Sequence, residues 1–139
     1  MGGRIGSVVA LFTYPALSLS QAACGLVDCD MEYRPGFLAY REGPALVKCL
    51  DMLASPPDVL MVPASGIDHP RRLGMAQHVG ALLDIATVGV TRRPLLPQKS
   101  IGGEPRSPVR IKTGREGGVI YVSRGWRVEA RAAVELVRS

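Results

Sequence analysis

Ser55-Pro56-Pro57 separates a helical pattern from an apolar run, and no other feature restricts the fold of this chain as firmly. Upstream, Leu46, Val47, Leu50 and Leu53 recur at helical spacing, so 43–54 reads as an amphipathic helix. Pro44 suits its first turn, where a missing N–H costs nothing. Downstream, Asp58-Val59-Leu60-Met61-Val62 is short and apolar, the pattern of a buried strand. The prolines between can continue neither element, so the chain must turn there. A helix that hands over at once to a buried strand points to the α/β class.

The remaining patterns extend that unit in both directions. Residues 5–13 and 17–29 read as two strands joined by a turn at Tyr14-Pro15, with Asp28 and Asp30 at the far end. A second helix is expected from Leu73 to Leu83 on the face Leu73, Ala76, Val79, Gly80 and Leu83, with Gly74 and Gly80 allowing close packing. Strands follow at Thr87–Val90, Val109–Lys112 and Val119–Val122, the first two set apart by a loop rich in Gly and Pro, and a helix closes the chain over Val128–Val137. The order β-β-α-β-α-β-β-β-α describes a mixed sheet flanked by helices. At 139 residues and 47% hydrophobic, the chain suits one domain, 1–139, with a proper core. No apolar run reaches the length of a membrane span, and no membrane partner is expected. Arg4, the apolar run after it and Ala22-Ala23-Cys24 faintly resemble an export leader, but Tyr14-Pro15, Ser18 and Ser20 interrupt it, so the segment reads as strand and the expected location is the cytoplasm. Cys24, Cys29 and Cys49 are odd in number and form no CxxC, which indicates neither a disulfide framework nor a zinc site.

Two loops flank the central helix and strand, and both are dense in residues that a plain core does not need. The first is Tyr33-Arg34-Pro35-Gly36-Phe37-Leu38-Ala39-Tyr40-Arg41-Glu42-Gly43-Pro44 and the second Gly66-Ile67-Asp68-His69-Pro70-Arg71-Arg72-Leu73-Gly74. Glu42 suits either a carboxylate at the helix N-terminus or a metal ligand beside a phosphate. Tyr33 suits either an exposed aromatic wedge that unstacks a base or a ring packed on the sheet edge. His69-Pro70-Arg71-Arg72, just before a helix, reads as an anion site or as a capped turn with Asp68 at or near the cap. The net charge is +5, and residues 92–127 hold nine Lys or Arg against Glu104 and Glu116. Such a stretch can track a nucleic-acid backbone or stand solvated as a loop. Of the 17 basic residues only Lys48, Lys99 and Lys112 are lysines, and the arginine fork suits phosphate and carboxylate.

The first loop resembles the Tyr-x-Pro-Gly…Phe-Arg-Glu-x-Pro block of the endonuclease V family, and the second resembles that family's next block. Leu82-Leu83-Asp84-Ile85-Ala86-Thr87-Val88-Gly89-Val90 is similar to the strand that follows, and Ile120-Tyr121-Val122-Ser123-x-Gly125 to the C-terminal block. The resemblance implies an RNase H-like fold, a divalent metal, usually Mg2+, and cleavage of DNA or RNA near deaminated bases, chiefly inosine. By the same resemblance Tyr33, Arg34, Pro35 and Gly36 form the wedge that reads the lesion, Glu42 is a catalytic metal-binding carboxylate, and His69 stands beside the active site. Arg71, Arg72 and Arg92 are the expected nucleic-acid contacts.

The sequence departs from the family pattern where the metal ligands belong. The family's Val-Asp-Gly-x-Gly run is Val62-Pro63-Ala64-Ser65-Gly66 here, so a metal-binding Asp is replaced by Pro63, which has no donor. The family's Lys is Arg92, its C-terminal His is Trp126, and its Pro is Arg124. Family members also carry a helix and a first strand, with another catalytic Asp, ahead of the strand matched by 5–13. The expected fold is therefore the RNase H-like mixed sheet lacking the family's first strand, and the expected partner, besides nucleic acid, is a second copy or another subunit that completes the sheet. An upstream start that restores the strand is the other reading. The function implied is a catalytically impaired endonuclease V-like protein that keeps its nucleic-acid-binding scaffold. The alternative is an active nuclease with a rebuilt or partner-completed metal site, for which Asp68 is the best-placed substitute and Asp28 and Asp30 are further candidates.

Overall fold

The computed structural model describes residues 2–96, 108–114 and 117–139. The chain divides into two compact units, Met1–Pro57 and Asp58–Ser139. The element order is the one expected, with β1 (Gly3–Thr13), β2 (Ser18–Cys29), α1 (Leu38–Asp51), β3 (Val59–Val62), α2 (Met75–Leu83), β4 (Ala86–Thr91), β5 (Val109–Thr113), β6 (Gly118–Arg124) and α3 (Ala130–Arg138).

In the first unit β1 and β2 form an antiparallel hairpin of their own, in register from Gly3 opposite Cys29 to Thr13 opposite Ser18, with a bulge at Leu11/Phe12. Side chains alternate across it, as the pleat requires. Ile5, Ser7, Val9 and Leu11 turn towards α1, while Val8, Phe12, Leu19 and Leu26 are exposed on the other face. α1 closes the inner face with Gly43, Ala45, Leu46, Cys49 and Leu50. Polar contacts fix the docking. The Cys49 thiol donates to the Ser7 carbonyl at 3.1 Å, and Lys48 Nζ donates to the Leu26 carbonyl at 2.9 Å. Truncating Leu46 or Leu50 to Ala in such a setting costs about 2–5 kcal/mol.

The helix starts earlier than its sequence pattern predicts. α1 begins at Leu38, and Pro44 lies inside it instead of in its first turn. An interior Pro forgoes one backbone bond and crowds the turn before it, a cost of about 3 kcal/mol. The apolar face that α1 buries offsets that cost. Glu42 therefore sits in the second turn, and no acid occupies the first, so the reading of Glu42 as a partner of the helix N-terminus does not hold.

The second unit is built on the mixed sheet, four strands in the order β3-β4-β6-β5. β3 and β4 are parallel, joined through α2, and the other two pairings are antiparallel. Val88, Ile111, Val122 and Ala133 make the core between the sheet and α3, extended by Val90, Val109, Ile120 and Leu136. α2 lies on the opposite face, since Thr87, the neighbour of Val88, donates its hydroxyl to the Ala76 carbonyl at 2.7 Å. Among the described residues β3 pairs with β4 alone, which leaves its other edge open.

Candidate nucleic-acid interface and metal site

The wedge residues form a turn whose geometry follows from two of them. Pro35 and Gly36 take the central positions, Gly36 has φ +83°, and the Phe37 amide donates to the Arg34 carbonyl at 3.0 Å. Proline followed by a glycine at positive φ is the pattern of a type II turn, and only glycine adopts that φ without strain. The turn leads directly into α1. Tyr33 is 61% exposed, and Arg34 and Pro35 are exposed beside it, so Tyr33 is a projecting ring and not one packed on a sheet edge. Phe37 and Tyr40 flank the turn, their ring centroids 6.2 Å apart in a tilted pair.

Glu42 lies one turn into the helix, with its side chain 40% exposed. Arg41 Nη1 is 3.7 Å from Glu42 Oε1, too long for a good hydrogen bond, so the pair is loose. Arg41 spends its Nε on the Met31 carbonyl at 3.2 Å, which ties the end of β2 to α1. Asp28 pairs with Arg4 across the hairpin at 3.3 Å, both side chains well exposed, a contact worth little.

In the second unit, residues 63–74 form a loop held by backbone bonds. The Ala64 amide donates to the Val62 carbonyl at 2.7 Å, a three-residue turn centred on Pro63, whose restricted φ suits it. Gly66 then runs against Arg124, where a Cβ would collide with the Arg124 backbone, so no larger residue fits. Its amide donates to Ser123 Oγ at 2.6 Å, and the Ile67 amide donates to the Arg124 carbonyl at 2.8 Å. Asp68 is half-buried and is not the helix cap. Gly74 takes that position without a side-chain bond, and the Ala76 amide is used by the Ser65 carbonyl at 3.1 Å, which removes one donor from the anion site expected at this helix end.

His69 is 4% exposed. Its Nδ1 accepts the Arg71 amide at 3.1 Å, which places the proton of the neutral imidazole on Nε2. The Arg72 amide donates to the His69 carbonyl at 2.7 Å, and Arg72 has φ +53°, a left-handed conformation that costs a non-glycine residue about 1 kcal/mol. Both Arg71 and Arg72 are exposed, as is Arg92 beyond the end of β4. Lys99, Arg106, Arg115, Glu104 and Glu116 of the basic stretch lie outside the described residues.

One set of supporting residues escaped the sequence reading. Thr87 is fully buried, and its hydroxyl accepts the Trp126 amide at 2.8 Å while donating to α2. The Thr87 amide donates to the Trp126 carbonyl, and the Gly125 amide to the Thr87 carbonyl, each at 2.9 Å. Trp126 Nε1 donates to Asp84 Oδ1 at 3.0 Å, and Arg127 donates to Asp84 Oδ2 at 2.8 Å. Trp126, which stands where the resemblance places a histidine, is thus part of the clasp between β6 and α2. The signal available in the sequence was Thr and Ser placed among apolar strand residues next to Gly, in Thr87-Val88-Gly89 and Val122-Ser123-Arg124-Gly125.

A hard divalent cation needs several oxygen ligands at once. Among the described residues no three His, Cys, Asp or Glu side chains come together to hold one. Pro63 contributes no donor at the end of β3. The donor set of the described residues does not fit the cation that the fold implies.

The family model for Endonuclease V matches residues 2–139. Endonuclease V of Rippkaea orientalis is 34% identical over 149 residues, which cover 94% of this chain and 62% of that protein, so the chain spans under two thirds of this curated relative. The catalytic domain of human endonuclease V superposes with a TM-score of 0.79 at 26% identity, covering 96% of this chain and 66% of the human one. Ciona intestinalis endonuclease V, solved with a 24mer DNA containing an inosine followed by a ribo-adenosine, superposes with a TM-score of 0.78 at 20% identity over 99% of this chain and 75% of that one. The fold is thus RNase H-like, and the chain belongs to the endonuclease V family.

Proposed function

We propose that this chain is an endonuclease V-like nucleic-acid-binding protein whose own strand cleavage is impaired. Pro63 is the observation that carries the reading. It stands where the family resemblance places a metal-binding carboxylate, while the loop around it is hydrogen-bonded to β6 through Gly66 and Ile67 and to α2 through Ser65. Selection for fold without ligand is the simplest account of that pairing. Binding is supported by the exposed Tyr33–Gly36 turn and by the exposed Arg71, Arg72 and Arg92, which offer a stacking ring and charge-assisted donors to phosphate. The ligand class is DNA or RNA bearing inosine or another deaminated base, by analogy with the Ciona complex. Magnesium is the cation of the family reading, with Glu42 as its one matching ligand and Asp68, in the second of the two family loops, as the candidate substitute. The place of action is the cytoplasm, and the whole chain acts as one domain. The open edge of β3 supports a second copy or another subunit as the partner that completes the sheet.

The test is cleavage and binding of an inosine-containing strand, as DNA and as RNA, with magnesium and then manganese. Binding without cleavage supports the reading. Cleavage that disappears in Glu42→Gln overturns the impairment and establishes the active alternative. Absence of both overturns the nucleic-acid role.

A further inference from the structure

The two helices of the Asp58–Ser139 unit cover its sheet unequally. α3 takes the face of Val88, Ile111 and Val122, and α2 packs on the other face chiefly against β4 and β3. On that second face the register sets Thr91, Tyr121 and Arg110 in one row across β4, β6 and β5, because paired residues of antiparallel strands share a face. Lys112, two residues further along β5, projects to the same side. Arg110 and Lys112 are exposed and Tyr121 is half-buried. Thr91 Oγ1 accepts the Arg93 amide at 3.1 Å and donates to the Arg93 carbonyl at 3.3 Å, which folds the exposed Arg92-Arg93 pair back towards this row. Ser123, two residues along β6 from Tyr121 and on the same face, holds the amide of Gly66. The row therefore lies two residues along β6 from the point where the 63–74 loop is anchored. Its members and their strand partners Val119, Tyr121 and Thr91 include no carboxylate.

We propose that Arg110, Lys112 and Tyr121, continued by Arg92 and Arg93, form a track for a single strand of nucleic acid, with the cations on its phosphates and Tyr121 against a base. The proposal rests on the nucleic-acid reading above. Arg110 and Lys112 stand roughly 7 Å apart along the strand, a step suited to successive phosphates of an extended chain. An edge strand also carries cations merely to prevent strand-to-strand aggregation, and the experiment separates that role from binding.

The full chain is titrated against a labelled 24-nucleotide single strand containing inosine, over a range of salt concentrations. Neutralising two phosphate contacts with Arg110→Ala and Lys112→Ala together should lower the slope of log affinity against log salt by roughly 1.4, at about 0.7 per contact on a single strand. Tyr121→Leu should weaken binding about 5-fold or more while Tyr121→Phe holds it. If the alanine pair fails to fold, Arg110→Gln with Lys112→Gln replaces it. An unchanged slope in a variant that binds overturns the track, and so does loss of solubility with the slope intact, which would mark the cations as edge guards only. A wild-type chain that binds no strand, with or without inosine, overturns the underlying nucleic-acid reading instead.

Discussion

Thr87→Val is the substitution whose cost is best defined by the geometry. The two side chains have the same shape, so the change removes a hydroxyl and little else. Thr87 is fully buried and serves two partners at once, accepting from the Trp126 amide at 2.8 Å and donating to the Ala76 carbonyl at 2.7 Å. The Ala76 carbonyl keeps its intrahelical position in α2, so its loss is small, about 0.5 kcal/mol. The Trp126 amide is left without its acceptor in a part-buried site, which costs about 1–3 kcal/mol. Together the two losses come to about 1.5–3.5 kcal/mol. Thr87→Ser keeps the hydroxyl and loses one methyl, at about 1 kcal/mol. Urea unfolding followed by the fluorescence of Trp126 measures both, and the valine variant should move the midpoint by roughly 1 M. A valine variant within about 0.5 kcal/mol of wild type, or a serine variant no better than valine, would refute the assignment of Thr87 as the clasp between β6 and α2.

Glu42→Gln should change stability by less than about 0.5 kcal/mol in a denaturant titration, since its ion pair with Arg41 is long and partly exposed. Any loss of activity in that variant is then chemical. Gly36→Ala should destabilise by about 1–2 kcal/mol and weaken strand binding, because alanine resists φ +83°; full affinity in a folded variant would remove the turn from the interface. Arg71→Ala with Arg72→Ala should weaken binding by about 1–3 kcal/mol, read by anisotropy at fixed salt. Arg72→Gly should raise thermal stability by up to about 1 kcal/mol by relieving φ +53° while lowering affinity, and a variant that gains neither stability nor loses affinity contradicts both assignments.

Element type and order were legible in the sequence because each apolar run had one period and a clear stop. The boundary at Ser55-Pro56-Pro57 separated α1 from β3 as expected. The start of α1 was not legible, since Pro44 satisfies the rule for a first-turn proline and the alternative depends on burial that Gly43, Ala45 and Cys49 reveal only in three dimensions. The division of the strands into a hairpin and a separate four-stranded sheet depends on pairing, which periodicity does not encode. For the site, Tyr33, Arg34, Arg71 and Arg72 were marked by residue type and are exposed. Thr87, Ser123 and Asp84 were not marked, because a buried hydroxyl in a strand looks like any other small strand residue until its partners are known. Asp68 read as a cap from its place before a helix, yet the left-handed turn at Arg72 shifts the cap to Gly74.

The distribution of two residue types has a practical consequence. Cys24, Cys29 and Cys49 all lie in the Met1–Pro57 unit, and they grade from exposed through intermediate to buried. Trp126, the one tryptophan in the chain, lies in the other unit. Alkylation of Cys49, 0% exposed and bonded to Ser7, therefore clocks the opening of one half. Indole emission follows the other half in the same tube. Without any mutation, the wild-type chain carries two independent clocks, and whether they run together tells directly whether its halves melt as a single cooperative body.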